Sequence, residues 1–521
     1  MRKIIINETV YESVRICTGD SAAEQFAAAE MSAYLARMGI SAGEGACIRI
    51  TADENLVRDA YAISVGKGEI RIAGGNGRGV LYGVYGFLEK YAGARFFLPD
   101  LETLGEGDIV VREGYTHTPI FEFRKSDWVC GRDAAWSVKR GINDFFIPEE
   151  MGGRIKYGGF VHTMHSLLGA DPWKEQPCLS DPENLKKAIA GVRRILENDP
   201  EVTIVSVSQN DNKHYCTCEK CAAADAEEGS HMGSLLRFVN AVAADIAEEY
   251  PHVIIDTLAY QYTRRVPKIT KPLPNVCIRL CSIECCFSHP LDEDSCPANK
   301  EFRRDILDWN RICDRIYIWD YVTNFRYYIP TFPNFDVIRK NMRFFAEHGV
   351  KGMYPEGNFN SPNSGEFGEL RCYLLARLMM DPYMSEKEYY DCMDAFLEAY
   401  YGEGWRYIRA YIDFTCMEAK GAHMGIYDHI FHIIPREKWE AMEETIEHWW
   451  DKAEEMAGKR LAYVRRSRLQ WRYIRLEMHP DAVEGERLYR DVSEADIRWD
   501  ERHTSIGTPD FSLPPSCWHK W

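Results

Sequence analysis

The sequence predicts an α/β protein. A (β/α)8 TIM-like barrel spans residues 118–380, a small α/β domain (1–117) precedes it, and a helical C-terminal region (381–521) follows. Three observations carry this. The chain has 521 residues, too many for one hydrophobic core, so two or three domains are expected. Between residues 118 and 380, short apolar runs alternate with helical stretches, the pattern of repeated strand–helix units. Those runs end in carboxylate, amide and aromatic residues, as strands do when a barrel gathers its site at their C-terminal ends. A doubly wound sheet is the structural alternative, and the strand-end residues favour the barrel.

The elements follow in order. Ala22 to Ile40 is Ala-rich with apolar residues at helical spacing, and "CIRI", "YAISVG" and "EIRIAG" are short strands. "GGNGRG" precedes a helix carrying Leu81, Val84, Tyr85 and Leu88. Glycines ahead of a helix can cradle phosphate, but the dinucleotide-binding spacing is not met, so a turn and a packed helix are expected. The barrel runs are "FEFRKSDW" (121–128), a weak "GIND" (141–144), "GGFVHTMH" (158–165) and "VTIVSVSQND" (202–211). "VIIDTLAYQYT" (253–263), "VCIRLCSIE" (276–284), "RIYIWDYVTNF" (315–325) and "VKGMYPEGNF" (350–359) complete the set. "SLLRFVNAVAADIAEEY" and "FDVIRKNMRFFAEHG" are amphipathic helices between strands. Beyond residue 381, Ser385 with Glu388 three residues on is a capping box. Long helices with packed Trp and Tyr residues follow, and "TSIGTPDFSLPPSCWHKW" reads as a loose or docking end.

Net charge is -17. A field of that sign repels phosphate backbones, which excludes nucleic acid as a partner and disfavours acidic polysaccharides. No stretch reaches the roughly 18 apolar residues of a membrane span. The N-terminal stretch lacks the roughly 7–15 apolar residues of a secretion signal, so the chain reads as cytoplasmic. Its 17 cysteines then read mostly as buried thiols. The acidic surface and helical C-terminal region are compatible with a homodimer.

The strand ends offer Asp127 and Trp128, His162 and His165, Asn210 and Asp211, Tyr260 and Tyr262, Glu284, Trp319 and Asp320, and Tyr354 and Glu356. Carboxylates, amides and aromatics on one rim suit carbohydrate: aromatic faces stack on sugar rings while polar groups bond hydroxyls. The expected substrate contacts are Trp128, His162, His165, Tyr262, Glu284, Trp319, Asp320 and Tyr354, with one of the two histidines packed rather than binding. Glycoside cleavage usually needs a protonated carboxylic acid at the leaving oxygen and a second group that stabilises the cationic centre. Asp211 with Glu356 or Glu284 could supply both. From the pair alone, Asn210–Asp211 reads first as an Asx turn that closes a strand. Cys216, Cys218 and Cys221 offer three ligands of a tetrahedral structural zinc, with His214, Cys285 or Cys286 as the fourth; a thiol cluster that packs the loop is the alternative.

"GRGVLYGVYGFLEKYAGARFFLPD" resembles the N-terminal α/β domain that precedes the barrel in α-glucuronidases and family 20 hexosaminidases. "SVSQNDNKHYCTCEKC", "IWDYVTNF" and "GEFGELRCYLLARLMMDP" resemble the bacterial family called domain of unknown function 4838, over roughly residues 65–400. Part of that family is classed as glycoside hydrolase family 163, endo-β-N-acetylglucosaminidases acting on N-glycans. The resemblance implies a hydrolase of β-linked N-acetylglucosamine-containing glycans. It would be retaining, with the substrate's own acetamido group assisting, and would need no cofactor for catalysis. Its partner would be an oligosaccharide or glycoconjugate. Asn210–Asp211 falls where family 20 enzymes place an Asp–Glu pair, so Asn210 would orient the acetamido group and Asp211 would be the general acid. Glu356 as the acid, with Asp211 binding substrate, stays open. One alternative is an α-glucuronidase-like enzyme using the pair Asp211 and Glu356, with Arg124 or Arg264 holding a uronate. Another is a carbohydrate-binding protein without turnover.

Overall fold

The computed structural model describes residues 2–144, 146–503 and 505–518. Its N-terminal part is built on a six-stranded sheet in the order Tyr115–His117, Tyr61–Val65, Glu69–Gly74, Ala46–Ala52, Ser13–Thr18, Ser41–Ala42. Ile48, Ile50, Ile70 and Ile72 alternate into one apolar face, where they meet Val80, Leu81 and Val84 of the Gly77–Lys90 helix. The Ala22–Arg37 helix starts at the Ser21–Glu24 capping box. A Cβ on Gly74 would sit 2.0 Å from the Val80 nitrogen. This glycine therefore serves the close approach of strand and helix, as the turn reading expects.

The middle of the chain forms an all-parallel sheet in the order Phe123–Arg124, Gly352–Glu356, Ile316–Tyr321, Val276–Cys281, Ile254–Ala259, Ile204–Ser206, Tyr157–Gly158. First and last members of this order are consecutive in sequence among the seven, so the sheet curls into a barrel. Side chains bridge the seam: the Phe123 ring lies 5.3 Å from Tyr157 and stacks at 5.4 Å on Tyr317.

The predicted "GIND" strand is corrected. Residues 141–144 form no strand, because Gly141 enters at φ +74°, outside extended backbone. They still hold the eighth place. The Asn143 N–H donates to the Arg124 carbonyl (3.1 Å), and the Asn143 carbonyl accepts from Ile155 N–H (2.8 Å). One residue thus spans the gap between the first strand and Tyr157–Gly158.

Asp59, from the N-terminal part, accepts from Arg78 (2.9 Å), Arg124 (2.8 Å) and Asn143 (3.1 Å), which pins the two parts together at that gap. Helices from Glu386–Tyr401 to Ala482–Glu494 make the C-terminal part. The chain then returns to the barrel: Tyr328 N–H donates to the Trp499 carbonyl (3.0 Å) and Glu501 N–H to the Phe325 carbonyl (2.9 Å). Among the described residues, no helix is long and apolar enough to cross a membrane.

Candidate active site

Strand alternation stacks the inward side chains in layers. Phe123, Ile204, Cys277 and Tyr317 form the floor. Gly352 belongs here because a Cβ would meet the Tyr317 ring at 2.5 Å. Above lies the buried pair Arg279–Asp256, closed by two hydrogen bonds of 3.1 and 2.7 Å and roofed by Phe160, whose ring centroid is 4.2 Å from the guanidinium. Next come Trp319, Tyr354 and Glu356, each two residues beyond an inward neighbour on its strand. Over them opens a cavity of about 720 Å3 at the C-terminal mouth of the barrel.

Four carboxylates line this cavity: Asp127, Asp211, Glu356 and Glu501. Burial pushes the Glu356 carboxyl well above the ordinary carboxylate range, and the charge of Asp127 adds to this. The Trp319 indole donates to Glu356 Oε2 (2.8 Å) and pulls it partly back. Burial also raises Asp127, against the charge of Lys125, while the Tyr354 hydroxyl donates to its Oδ2 (2.6 Å). Glu501 is raised by burial, with Arg502 opposing. Asp211 stands at the exposed lip and accepts from the Tyr260 hydroxyl (3.1 Å). Burial pushes the His162 imidazole below its ordinary range. Its Nδ1 sits 2.7 Å from the Gln209 carbonyl, which can only accept, so Nδ1 carries the hydrogen.

The cavity gathers Asp211, Glu356, His162, Trp319 and Tyr354 from the predicted set. Six others lie elsewhere. Asn210, expected to orient the substrate, spends its side chain on loops: Oδ1 accepts from His165 N–H (3.0 Å) and Nδ2 donates to the Glu175 carbonyl (3.0 Å). Trp128 is core, sandwiched where a Cβ on Gly357 or Gly368 would touch its ring at 2.4 Å. His165 turns its Nδ1 to the His162 carbonyl. Tyr262 packs on Tyr215 and His231 behind the lip. Glu284 is exposed and pairs with Arg264 (2.9 Å). Asp320 faces outward by strand parity; burial pushes it up to about 6, and Ser282 donates to it (2.6 Å). Neither arginine considered for a uronate reaches the cavity, since Arg124 is bound to Asp59 and Arg264 to Asp305 and Glu284.

The cavity also holds Asp127, a strand-end residue not counted among the expected contacts, and groups that strand-end reading passed over. Lys125, like Asp127, continues the inward parity of Phe123, a signal present in the sequence. Tyr427, Glu501 and Arg502 come from the C-terminal part and carried no such signal.

Beside the lip, four thiols converge. Cys178 Sγ lies 3.6 Å from that of Cys218 and 3.8 Å from that of Cys221; with Cys216, all four fall within 4.8 Å of one another. Sulfurs around a tetrahedral zinc at about 2.3 Å stand roughly 3.8 Å apart, so these residues fit such an ion. The fourth donor is Cys178, which corrects the expectation of His214, Cys285 or Cys286. The Cys178 loop also carries Gln176, whose amide donates to the carbonyls of Asn210 (2.8 Å) and Asn212 (2.9 Å), on either side of Asp211.

The solved structures similar to this chain include a GH138 enzyme targeting pectin rhamnogalacturonan II, at 11% identity and TM-score 0.47, covering 93% of this chain and 90% of that one. A mutant Streptomyces plicatus β-hexosaminidase in complex with its product GlcNAc is similar at 10% identity and TM-score 0.45, covering 76% and 92%. At these values neither likeness assigns a residue or a reaction. No curated protein matches the chain. A family model described as Domain of unknown function (DUF4838) matches residues 109–413, more than half of the chain and the whole of the barrel, and the chain belongs to that family.

Proposed function

We propose that the chain is a glycoside hydrolase in which Glu356 is the general acid and Asp211 the assisting carboxylate, acting on β-linked N-acetylglucosamine-containing glycans. The observation that carries this is the buried, high-pKa Glu356 in an aromatic-lined cavity that also holds Asp211. A general acid must keep its proton at working pH, and a carboxyl raised by burial does so. Trp319 occupies Oε2 of Glu356, which leaves Oε1 to deliver the proton to the leaving oxygen. Asp211, its Oδ1 bonded to Tyr260, has an oxygen left to accept the acetamido N–H, so the acetamido carbonyl can attack the anomeric carbon. Trp173 and Tyr427, exposed at the rim, offer faces to sugar rings. The substrate class rests on the family resemblance. The cysteine set Cys178, Cys216, Cys218 and Cys221 would hold a structural zinc that fastens the Asp211 loop and takes no part in bond cleavage.

Lys125, Arg132 and Arg502 beside the same cavity favour a second reading. In it the substrate is a uronide, the cations bind its carboxylate, and Asp211 acts on the anomeric carbon directly.

The test is turnover of aryl glycosides and N-glycan fragments by wild type, Glu356→Gln and Asp211→Asn. Glu356→Gln should lose about 10²–10⁴ in kcat/KM on poor leaving groups and far less on dinitrophenyl glycosides, which need no acid. Turnover confined to 2-acetamido sugars supports acetamido assistance, and turnover confined to uronides supports the second reading. Sugar binding without turnover of any glycoside would reduce the protein to a carbohydrate-binding one.

A further inference from the structure

A second cluster of metal-ligating side chains lies apart from the cavity and from the four thiols. Cys286 and His289 sit on the loop after the Val276–Cys281 strand, and Cys296 immediately precedes the Pro297–Asn310 helix. His423 comes from the C-terminal part, between the Trp405–Ala419 and Ile430–Ile433 helices. One donor atom from each lies within 4.8 Å of the other three. Cys286 Sγ is 3.1 Å from His289 Nδ1, and Cys296 Sγ is 3.7 Å from His423 Nδ1. Around a tetrahedral zinc, with Zn–S about 2.3 Å and Zn–N about 2.0–2.1 Å, neighbouring donors stand roughly 3.3–3.8 Å apart. The four side chains therefore need only small movements to close on one ion.

The surroundings are those of a thiolate site. The Met424 N–H donates to Cys286 Sγ (3.3 Å), a bond that favours the charged sulfur a metal requires. Asn299, fully buried, holds the loop in shape: its Oδ1 accepts from Cys286 N–H (2.8 Å), and its Nδ2 donates to the carbonyls of Cys286 (3.0 Å) and His289 (2.8 Å). Three separate chain segments thus converge with two sulfurs and two imidazoles, a donor set that suits zinc.

We propose that Cys286, His289, Cys296 and His423 form a tetrahedral zinc site that joins the barrel to the C-terminal helices. Binding displaces the two thiol protons, and the ion replaces packing alone as the link between segments. The link bears on the cavity. Four residues past His423, Tyr427 lines it, and the intervening Ile426 carbonyl accepts from Phe325 N–H (2.8 Å). The site stands whether or not the protein is a glycosidase.

The test is metal content by mass spectrometry on full-length protein purified without chelator, followed by stripping and titration with cobalt(II) chloride. His423→Ala is the informative variant, because His423 is exposed and its truncation removes no core packing. It should bind one ion fewer than wild type, or bind it at least tenfold more weakly. In a Cys178→Ser/Cys216→Ser background, cobalt should give a tetrahedral spectrum with two-thiolate charge-transfer intensity, lost on adding His423→Ala. If that background fails to fold, the one-ion difference between wild type and His423→Ala decides alone. Equal metal content and affinity in wild type and His423→Ala would overturn the proposal. So would a Cys286–Cys296 disulfide found by thiol counting in denaturant.

Discussion

Two neighbours act on the Glu356 carboxyl in opposite directions: the charge of Asp127 raises it beyond what burial does, and the Trp319 indole lowers it. The alkaline limb of kcat/KM reports the acid of the free enzyme. Trp319→Phe removes a bond to the charged form, so that limb should move to higher pH. Asp127→Asn removes the repelling charge, so the limb should move to lower pH. The same shift has a stability sign. A carboxyl raised in the folded state favours folding below its ordinary pKa and loses that contribution as pH rises toward the folded value. Glu356→Gln should therefore melt higher than wild type by a margin that widens from pH 5 to pH 8. A margin independent of pH would rule out this account. Glu356, Trp319 and Tyr354 were legible in the sequence because a parallel strand keeps strict parity to its end. Asn210 was misread because it lies beyond the ladder, where parity lapses and loop carbonyls compete for an amide.

At the level of elements, alternation of apolar runs with amphipathic helices made the barrel readable, since each strand–helix unit must bury its apolar faces locally. The 141–144 segment was readable only as a weak run, and its backbone conformation explains why. It works through one side chain: Asn143 Oδ1 accepts from Arg124 N–H (2.9 Å), and Nδ2 donates to the Glu122 carbonyl (2.7 Å) and to Asp59. Asn143→Ala removes these bonds from a buried site and should cost about 2–4 kcal/mol in urea unfolding. A cost under about 0.5 kcal/mol would mean that the seam closes without it. Cys178 escaped sequence reading for a related reason. It lies far upstream of the other three thiols, and only the loop fold brings it to them.

For the whole molecule, Asp59 is the joint between the N-terminal part and the barrel. Although burial opposes it, Arg124 and Arg78 hold its carboxyl well below the usual range. Asp59→Ala would leave two buried guanidiniums uncompensated and should cost about 3–5 kcal/mol, read as a lower urea midpoint. Asp59→Asn, which keeps the shape, should lose less. Nothing in the local pattern around Asp59 announces this role, because its partners lie on the next helix and in the barrel. The stretch 504–521 was read as a loose or docking end; residues 505–518 dock, with Ser516 N–H donating to Glu477 (2.6 Å) and Trp518 packed on Trp499, while 504 and 519–521 lie outside the described residues. The contribution of Glu501 and Arg502, just ahead of that stretch, to the cavity has a consequence in time. Roughly 145 residues separate Glu356 from Glu501, and at 5–20 residues per second their synthesis takes about 7–30 s. That interval is long enough for a nascent barrel to pair its strands with one wall still unmade and its cavity open to the side.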